Sequence, residues 1–410
     1  MVANHSIVIG AGMVGLSTAW FLRKAGHEVT VIDRDGVAAG SSWGNAGWLS
    51  PGKTIPLANR ELWRYTPQAF LDPDAALHVP LVPDPKVVDF GVRFMANANQ
   101  RAWDRTMKAL TPINLKALGA YDELVEGGVE SWTKDSPFII AFKNEAEAAG
   151  FIEEVEGAVR HGQEVPFEEI SNPRDFVPHL SDSVNLVFKL GNQRYFEPGP
   201  FCHKLADALR SRGVEIRTGA SVVDVQSTRK PVVELSTGER LQADNVVIAT
   251  GAWLPKLARR LGVRTRVQAG RGYSFSVDTG ENSIDYPVYL PAQRLACTPY
   301  QGRFRIAGTM EFRDADAPFD PKRVQSMIKH ASEMFTGINF DDRQDEWVGS
   351  RPVTPDGLPL IGATKAPNVY VAGGHGMWGV VLGPASGRAL AHLIETGETL
   401  PEIRDFDPLR

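Results

Sequence analysis

Residues 6–22 read SIVIGAGMVGLSTAWFL, and within them Gly10, Gly12 and Gly15 spell G-x-G-x-x-G. The motif follows a β-rich run, Ser6–Ile9, and opens a stretch of helical spacing, Met13–Lys24. Glu28–Ile32 then reads as a second strand. Strand, glycine turn, helix and strand in this order predict a β-α-β unit, hence a parallel sheet covered by helices. Gly10 permits the tight turn, Gly12 lets the backbone approach a pyrophosphate, and Gly15 lets helix and strand pack closely. Ala11, Met13 and Val14 complete the loop, at a helix N-terminus whose partial positive charge favours phosphate. Asp33, followed by Arg34, ends the second strand in position to accept hydrogen bonds from ribose hydroxyls. Its charge disfavours a 2′-phosphate. The pattern predicts a dinucleotide site without separating a flavin from a nicotinamide. Its plainer reading is a glycine turn that binds nothing.

The same spelling returns near the C-terminus, in VYVAGGHGMWGVVLGPASG, through Gly374, Gly376 and Gly379. It also follows a strand, Asn368–Ala372, and opens a helix, Val380–Glu395. No acid-tipped second strand follows, because few residues remain. A second β-α-β unit is therefore not expected here. A helix N-terminus still favours an anion, and the bland alternative is a capping loop with glycines for tight packing.

At 410 residues, with 43% hydrophobic residues and 9 Trp, the chain is long enough for two domains with large cores. A net charge of -5, without a long basic run, argues against a nucleic-acid surface. Cys202 and Cys297 match no metal-ligand spacing and are expected as free thiols in a reducing compartment, so no metal is predicted. The apolar run Ile7–Leu22 lacks a basic n-region and is shorter than the roughly 18–20 residues of a membrane span. A cytoplasmic location is expected, with peripheral contact at the inner face of the membrane left open. Helical patterns appear around Pro85–Gln100, Ile113–Glu126, Glu145–Arg160, Phe201–Arg212 and Asp320–Phe335. Alternating segments at Gln268–Val277, Val288–Leu290, Leu295–Pro299 and Arg303–Ala307 suggest an antiparallel sheet. The expected fold class is α/β: a Rossmann-like domain interleaved with an α+β domain built on that antiparallel sheet.

Six strings in order, IVIGAGMVGLSTAWFLRKAGHEVTVID, GSSWGNAGWLSPG, VVIATGAW, RGYSFSV, SRPVTPDGLPLIG and GGHGMWGV, span nearly the whole chain. Together they resemble the D-amino-acid oxidase-like FAD superfamily, and within it the bacterial D-amino acid dehydrogenases, with glycine oxidase and glyphosate oxidoreductase as relatives. The resemblance implies that residues 1–85, 195–262 and 345–410 form an FAD-binding domain and that 86–194 and 263–344 form a substrate domain. It places the pyrophosphate on Gly10, Gly12 and Gly15 and the ribose on Asp33. The loop Ser41-Ser42-Trp43-Gly44-Asn45-Ala46-Gly47 is then expected beneath pyrophosphate and flavin. Val222 is expected beside the adenine and Thr250-Gly251 near the pyrophosphate. Gly374, His375, Gly376, Met377, Trp378, Gly379 and Val380 become a clamp on the pyrimidine side of the flavin, where the helix dipole stabilises the reduced anion. Some relatives attach FAD through a cysteine in the segment matching SRPVTPDG; Arg351 stands there without a nearby cysteine, so FAD is expected to be non-covalent.

The implied chemistry is hydride transfer from the Cα of a small amino acid, a D-amino acid foremost, to flavin N5, giving an imine that hydrolyses to a keto acid and ammonia. Such a reaction needs orientation rather than a triad or a metal. Arg351 is the expected partner of the substrate carboxylate, since a guanidinium binds it bidentately. Tyr273 and Tyr289 are each read either as pocket hydroxyls or as core tyrosines. His375 is read as bonding the flavin edge or substrate, or as a helix cap, and as neutral at pH 7. A tyrosine that contacts substrate in glycine oxidase aligns near Ala296. Three functions stay open. One is a D-amino acid dehydrogenase passing electrons to quinone or O2. Another is an oxidase or dehydrogenase of glycine, sarcosine or a cyclic imino acid such as D-proline or hydroxyproline. The third is a non-catalytic FAD-binding subunit of a redox complex. A homo-oligomer is left open as well.

Overall fold

The computed structural model describes residues 3–72, 74–80, 84–280, 283–300 and 302–410. The motif strand, His5–Ile9, lies inside a six-stranded sheet, between Glu28–Ile32 and Asn245–Ile248. Glu215–Arg217 extends the sheet on one side; Val369–Gly373 and then Leu360–Ala363 extend it on the other. Every pairing is parallel except the last. The central strands are continuous apolar runs because both faces are covered. Long helices, Met13–Lys24 and Gly379–Thr396 among them, lie on one face. The three-stranded sheet Val222–Gln226, Val232–Leu235 and Arg240–Gln242, with the short helix Leu254–Ala258, lies on the other. Ile7, Val8, Val246 and Val247 are fully buried.

Two of those helices bring the chain ends together. Met13–Lys24 packs on Gly379–Thr396, and a Cβ at Gly387 would lie 2.6 Å from the Thr18 backbone nitrogen. Backbones that close tolerate no side chain between them. The two glycine motifs, far apart in sequence, thereby face one region.

The second layer is a nine-stranded sheet in which Gln268–Val277, Arg303–Phe312 and Gln344–Val353 are the long strands. It is antiparallel apart from two parallel contacts, Val288–Leu290 with Phe138–Phe142 and Leu77–His78 with Arg303–Phe312. Gln344–Val353 pairs along its length with Gln268–Val277. Residues 345–353 therefore belong with this layer, as do Leu77 and His78.

The helical region departs from the periodicity reading. Pro85–Ala96, Gln100–Asn114 and Ala117–Glu126 are three helices, where the pattern had suggested two. Asn99 restarts the chain by accepting the Ala102 N–H at 3.0 Å, a side-chain N-cap. Pro112 lies inside the middle helix, where a proline reads as a break. The strands Phe138–Phe142 and Leu186–Leu190 were also not expected. FIIAF is buried at every position, so no alternation marks it as a strand.

Candidate active site

One cavity opens at the carboxyl ends of the parallel strands, where Ile9, Ile32, Ala249 and Ala372 meet its wall. In α/β sheets this is where ligands bind. Two helix starts reach it. Met13–Lys24 begins at Gly12 and Gly379–Thr396 at Trp378; neither has a side-chain cap or an acidic residue in its first turn. N-cap residues that offer no side-chain acceptor leave first-turn N–H groups and partial positive charge toward the cavity. The Met13 N–H donates to Ser42 Oγ at 3.1 Å, which ties the loop at 41–47 to the first helix. Ser41 donates to the Ser350 carbonyl and so ties the same loop to the strand carrying Arg351.

The Asp33 carboxylate is pinned by three backbone donors: Ala11 at 2.7 Å, and Asp35 and Gly36 each at 2.9 Å. The Thr250 hydroxyl is buried without a partner among the described residues, as expected of a group that awaits a ligand. His375 is buried, and its Nε2 lies 2.9 Å from Ser386 Oγ. Burial pushes its pKa down to about 4, so the ring is neutral near pH 7. Its side chain is anchored in the C-terminal helix rather than capping that helix.

A second cavity shares Asn45, Arg351 and Met377 with the first. Arg351 is the residue around which it is built. Its Nη1 donates to the Thr309 carbonyl at 2.9 Å, and no ion pair reaches it among the described residues. Burial lowers its pKa to about 10, which leaves it charged. The side chain is half-buried, and a guanidinium so placed, without a carboxylate, can take an anion bidentately.

The antiparallel layer is shaped to hold this side chain. A Cβ at Gly272 would lie 2.0 Å from Arg351 Nη2, so only glycine leaves room for the guanidinium. Opposite Gly272 the register steps from Arg271↔Glu311 to Tyr273↔Gly308, so Thr309 and Met310 face one residue. Such a bulge re-aims backbone and side chains. Thr309 has φ 56°, a costly conformation for a β-branched residue. It turns the carbonyl toward Arg351. The Thr309 hydroxyl is buried and has no partner among the described residues.

Most residues expected to contact the dinucleotide line the first cavity; Ala11, Gly15, Ala46, Gly47, Gly374 and Trp378 do not. Ala46 and Trp378 line the second cavity instead. Gly15 faces the Gly10 carbonyl, and Gly47, at φ +71°, turns against the Phe196 carbonyl. Gly374 packs behind the wall on Thr354 and Leu360. Tyr289 lines the second cavity, with its ring edge-on to Trp48 at 5.3 Å; burial raises its pKa and keeps the hydroxyl neutral.

Tyr273 is corrected to a core residue. It lines neither cavity, is fully buried, and donates to Glu311 Oε2 at 3.0 Å. Strand side chains alternate, so the neighbour of Gly272 points away from Arg351. Gly272, Thr309 and Lys53 were not singled out from the sequence. Nothing local signals a left-handed threonine in a strand.

Residues 5–393 match the family described as FAD dependent oxidoreductase, DAO. The chain is 29% identical to the D-amino acid dehydrogenase of Dechloromonas aromatica (strain RCB), over 97% of this chain and 98% of that protein. It is 30% identical to the D-amino acid dehydrogenase of Methylobacterium sp. (strain 4-46), over 98% of this chain and 97% of the relative. Its fold matches the crystal structure of glycine oxidase from Geobacillus kaustophilus with a TM-score of 0.78 at 20% identity, covering 100% and 99% of the two chains. Among the described residues no helix is long and apolar enough to cross a membrane, and no group of three His, Cys, Asp or Glu could hold a metal ion.

Proposed function

Because the chain belongs to the FAD-dependent oxidoreductase family, we propose that it oxidises the Cα–N bond of an amino acid, a D-amino acid foremost, and passes the electrons to a quinone or O2. The observation that carries this reading is Arg351, a half-buried cation without a carboxylate partner among the described residues, at the junction of two cavities. An amino-acid carboxylate supplies the missing anion. Both dehydrogenases compared above act, by their names, on D-amino acids, which supports that stereochemistry.

The first cavity fits FAD on its own features. The uncapped start of the first helix suits the pyrophosphate, the pinned Asp33 the ribose, and the unpartnered Thr250 hydroxyl a polar group of the ligand. Val222 would stand beside the adenine, and the turn from His375 to Val380 beside the flavin. Bound there, FAD would supply a two-electron acceptor. The protein's part is to orient. Arg351 holds the carboxylate and so fixes Cα. Neutral His375, bonded to Ser386, adds no charge.

FAD is held without a covalent bond in this reading. Cys202 and Cys297 are fully buried and line neither cavity, and burial pushes the Cys202 thiol up to about 12.

Anaerobic addition of D-amino acids, L-amino acids, glycine, sarcosine and D-proline tests the reading through flavin absorbance. Bleaching by an amino acid, and recovery with air or a quinone analogue, is the expected result. A flavin that stays oxidised with every compound would leave an FAD-binding subunit instead.

A further inference from the structure

Three consecutive backbone carbonyls of the loop at 41–47 turn into the antiparallel layer, and each accepts from a hydroxyl there. Gly44 accepts from Ser274 Oγ at 2.8 Å, Asn45 from the Tyr300 hydroxyl at 2.7 Å and Ala46 from Thr298 Oγ1 at 2.6 Å. In a trans peptide the N–H points opposite to the carbonyl. With its carbonyl drawn into the layer, the Asn45–Ala46 peptide therefore turns the Ala46 N–H outward. That N–H has no partner among the described residues, whereas the Asn45 N–H folds back on the Ser42 carbonyl and the Gly47 N–H on the Asn45 side chain. Asn45 lines both cavities and Ala46 the second. An unpartnered donor is thus held at their junction.

Behind the row of hydroxyls lies Arg305. The register sets it opposite Thr298 on one neighbouring strand and Ser276 on the other. Ser274, Arg305, Thr298 and Tyr300 therefore share one face of three adjacent strands. Arg305 Nη2 donates to Ser274 Oγ at 2.8 Å, and the guanidinium stands 5.0 Å from the centre of the Trp43 ring. The loop rests directly on it, since a Cβ at Gly44 would lie 2.6 Å from Nη2. Arg305 is 2% exposed, and its Nε is buried without a partner among the described residues. Asp345 and Glu197, the carboxylates whose charge reaches it, form no ion pair with it. Burial lowers its pKa, yet an arginine stays charged.

A desolvated cation is costly unless a negative group answers it, and holding a loop requires only the hydroxyls. Linked hydrogen bonds also polarise one another. Arg305 acts on the Gly44 carbonyl through Ser274. Desolvation pushes the Tyr300 pKa up and keeps the phenol neutral, while the Arg305 charge pulls the other way and makes that hydroxyl a stronger donor. A donor strengthened in this way gains most from an acceptor that becomes negative.

We propose that the Ala46 N–H is a fixed donor to the flavin and that Arg305 is a positioning residue behind it, acting through Ser274 and Tyr300 to favour the flavin once it is reduced and negatively charged. The inference rests on the FAD-dependent function proposed above and concerns the potential of the cofactor, not the choice of substrate.

Variants of the FAD-loaded protein test it through the midpoint potential and through sulfite, whose addition leaves a negative charge on the flavin. Arg305→Met removes the charge at similar length. It should weaken sulfite binding about tenfold and lower the potential by about 30 mV, the two-electron equivalent of a tenfold change. Arg305→Lys should recover most of both. Tyr300→Phe should weaken sulfite about three- to tenfold. In Arg305→Met and Tyr300→Phe the anaerobic reduction rate at saturating amino acid should fall, with substrate KM within about twofold of the parent. Unchanged potential and sulfite affinity in both variants overturn the inference, as does a loss in Arg305→Met that Arg305→Lys leaves unrecovered. If Arg305→Met does not fold or retains no FAD, Tyr300→Phe decides alone. A parent protein without FAD sinks the cofactor reading itself. FAD present with the variants unmoved leaves that reading standing and removes only Arg305 and Tyr300 from it.

Discussion

A Cβ placed on Gly15 would lie 1.9 Å from the Gly10 carbonyl oxygen, while one on Gly379, at the matching place of the second motif, meets nothing nearer than His375 Cβ at 3.6 Å. The middle glycines differ in the opposite sense. Gly376 has φ +56°, whereas no left-handed φ occurs at Gly12, where a Cβ would meet only Ser42 Oγ at 3.3 Å. Identical letters thus answer different demands. In the first motif glycine lets a helix cross its own strand at close range. In the second it lets the chain make a one-turn 3-10 helix, Gly376–Trp378, before the long C-terminal helix starts. A glycine pattern specifies a phosphate loop only through the strand that comes after it.

The largest effect separates both loops from the chemistry between them. Arg351→Ala should cut kcat/KM by two to three orders of magnitude, roughly 3–4 kcal/mol, mainly through substrate KM. Arg351→Lys should recover part of it, since an ammonium cannot reproduce the planar fork. FAD per chain should stay near that of the parent in both. Loss of FAD would mean that Arg351 supports a loop rather than the substrate.

Gly15→Ala and Gly379→Ala form the matched pair. The first forces helix and strand apart and should cost about 3 kcal/mol of stability, the upper range for overpacking, with most FAD lost. The second replaces a helical glycine where there is room, and should leave stability unchanged or raise it by up to about 1 kcal/mol. Denaturant unfolding of the apoproteins reads both. Equal losses would break the comparison.

His375 sharpens the second loop by pH. Its folded pKa, near 4, lies below the ordinary histidine value of 6.5, so protonation favours the unfolded chain. The stability it contributes is complete above pH 6.5 and is lost as pH falls toward 4, by no more than about 3 kcal/mol. His375→Gln should flatten that part of the stability–pH curve. An unchanged slope would assign the acid sensitivity to other groups.

The smallest loss of stability belongs to Gly376→Ala. With Leu57 Cδ1 at 3.6 Å the methyl has space, and only the left-handed backbone opposes it, at about 1 kcal/mol. Tm should fall slightly and the flavin potential should shift to more negative values. A loss as large as that of Gly15→Ala would show the two loops to be mechanically alike after all.

The β-α-β unit at the N-terminus was legible because each of its signals is local. Apolar runs, a helical period and glycines at fixed offsets all act within residues 5–33, and the strand and helix ends match them to within a residue. The same holds for Asp33, whose place at a strand end follows from counting. Arg351 was legible as an arginine in a recurring string, and the long helices only in part, since Asn99 and Pro112 pull the boundary in opposite directions.

What the tertiary structure alone decided is which distant residues meet. Tyr273 and Tyr289 stand on strands of similar pattern, yet one is core and the other lines a cavity. Arg351 finds its cleft because Gly272, on a neighbouring strand, leaves room for its guanidinium and Thr309, on the next, bulges toward it. Local sequence can state the period of a strand, but a register step and the pairing of strands tens of residues apart depend on all the contacts of the sheet at once. The elements were therefore written in short stretches of the chain, and the cavity was written only in their packing.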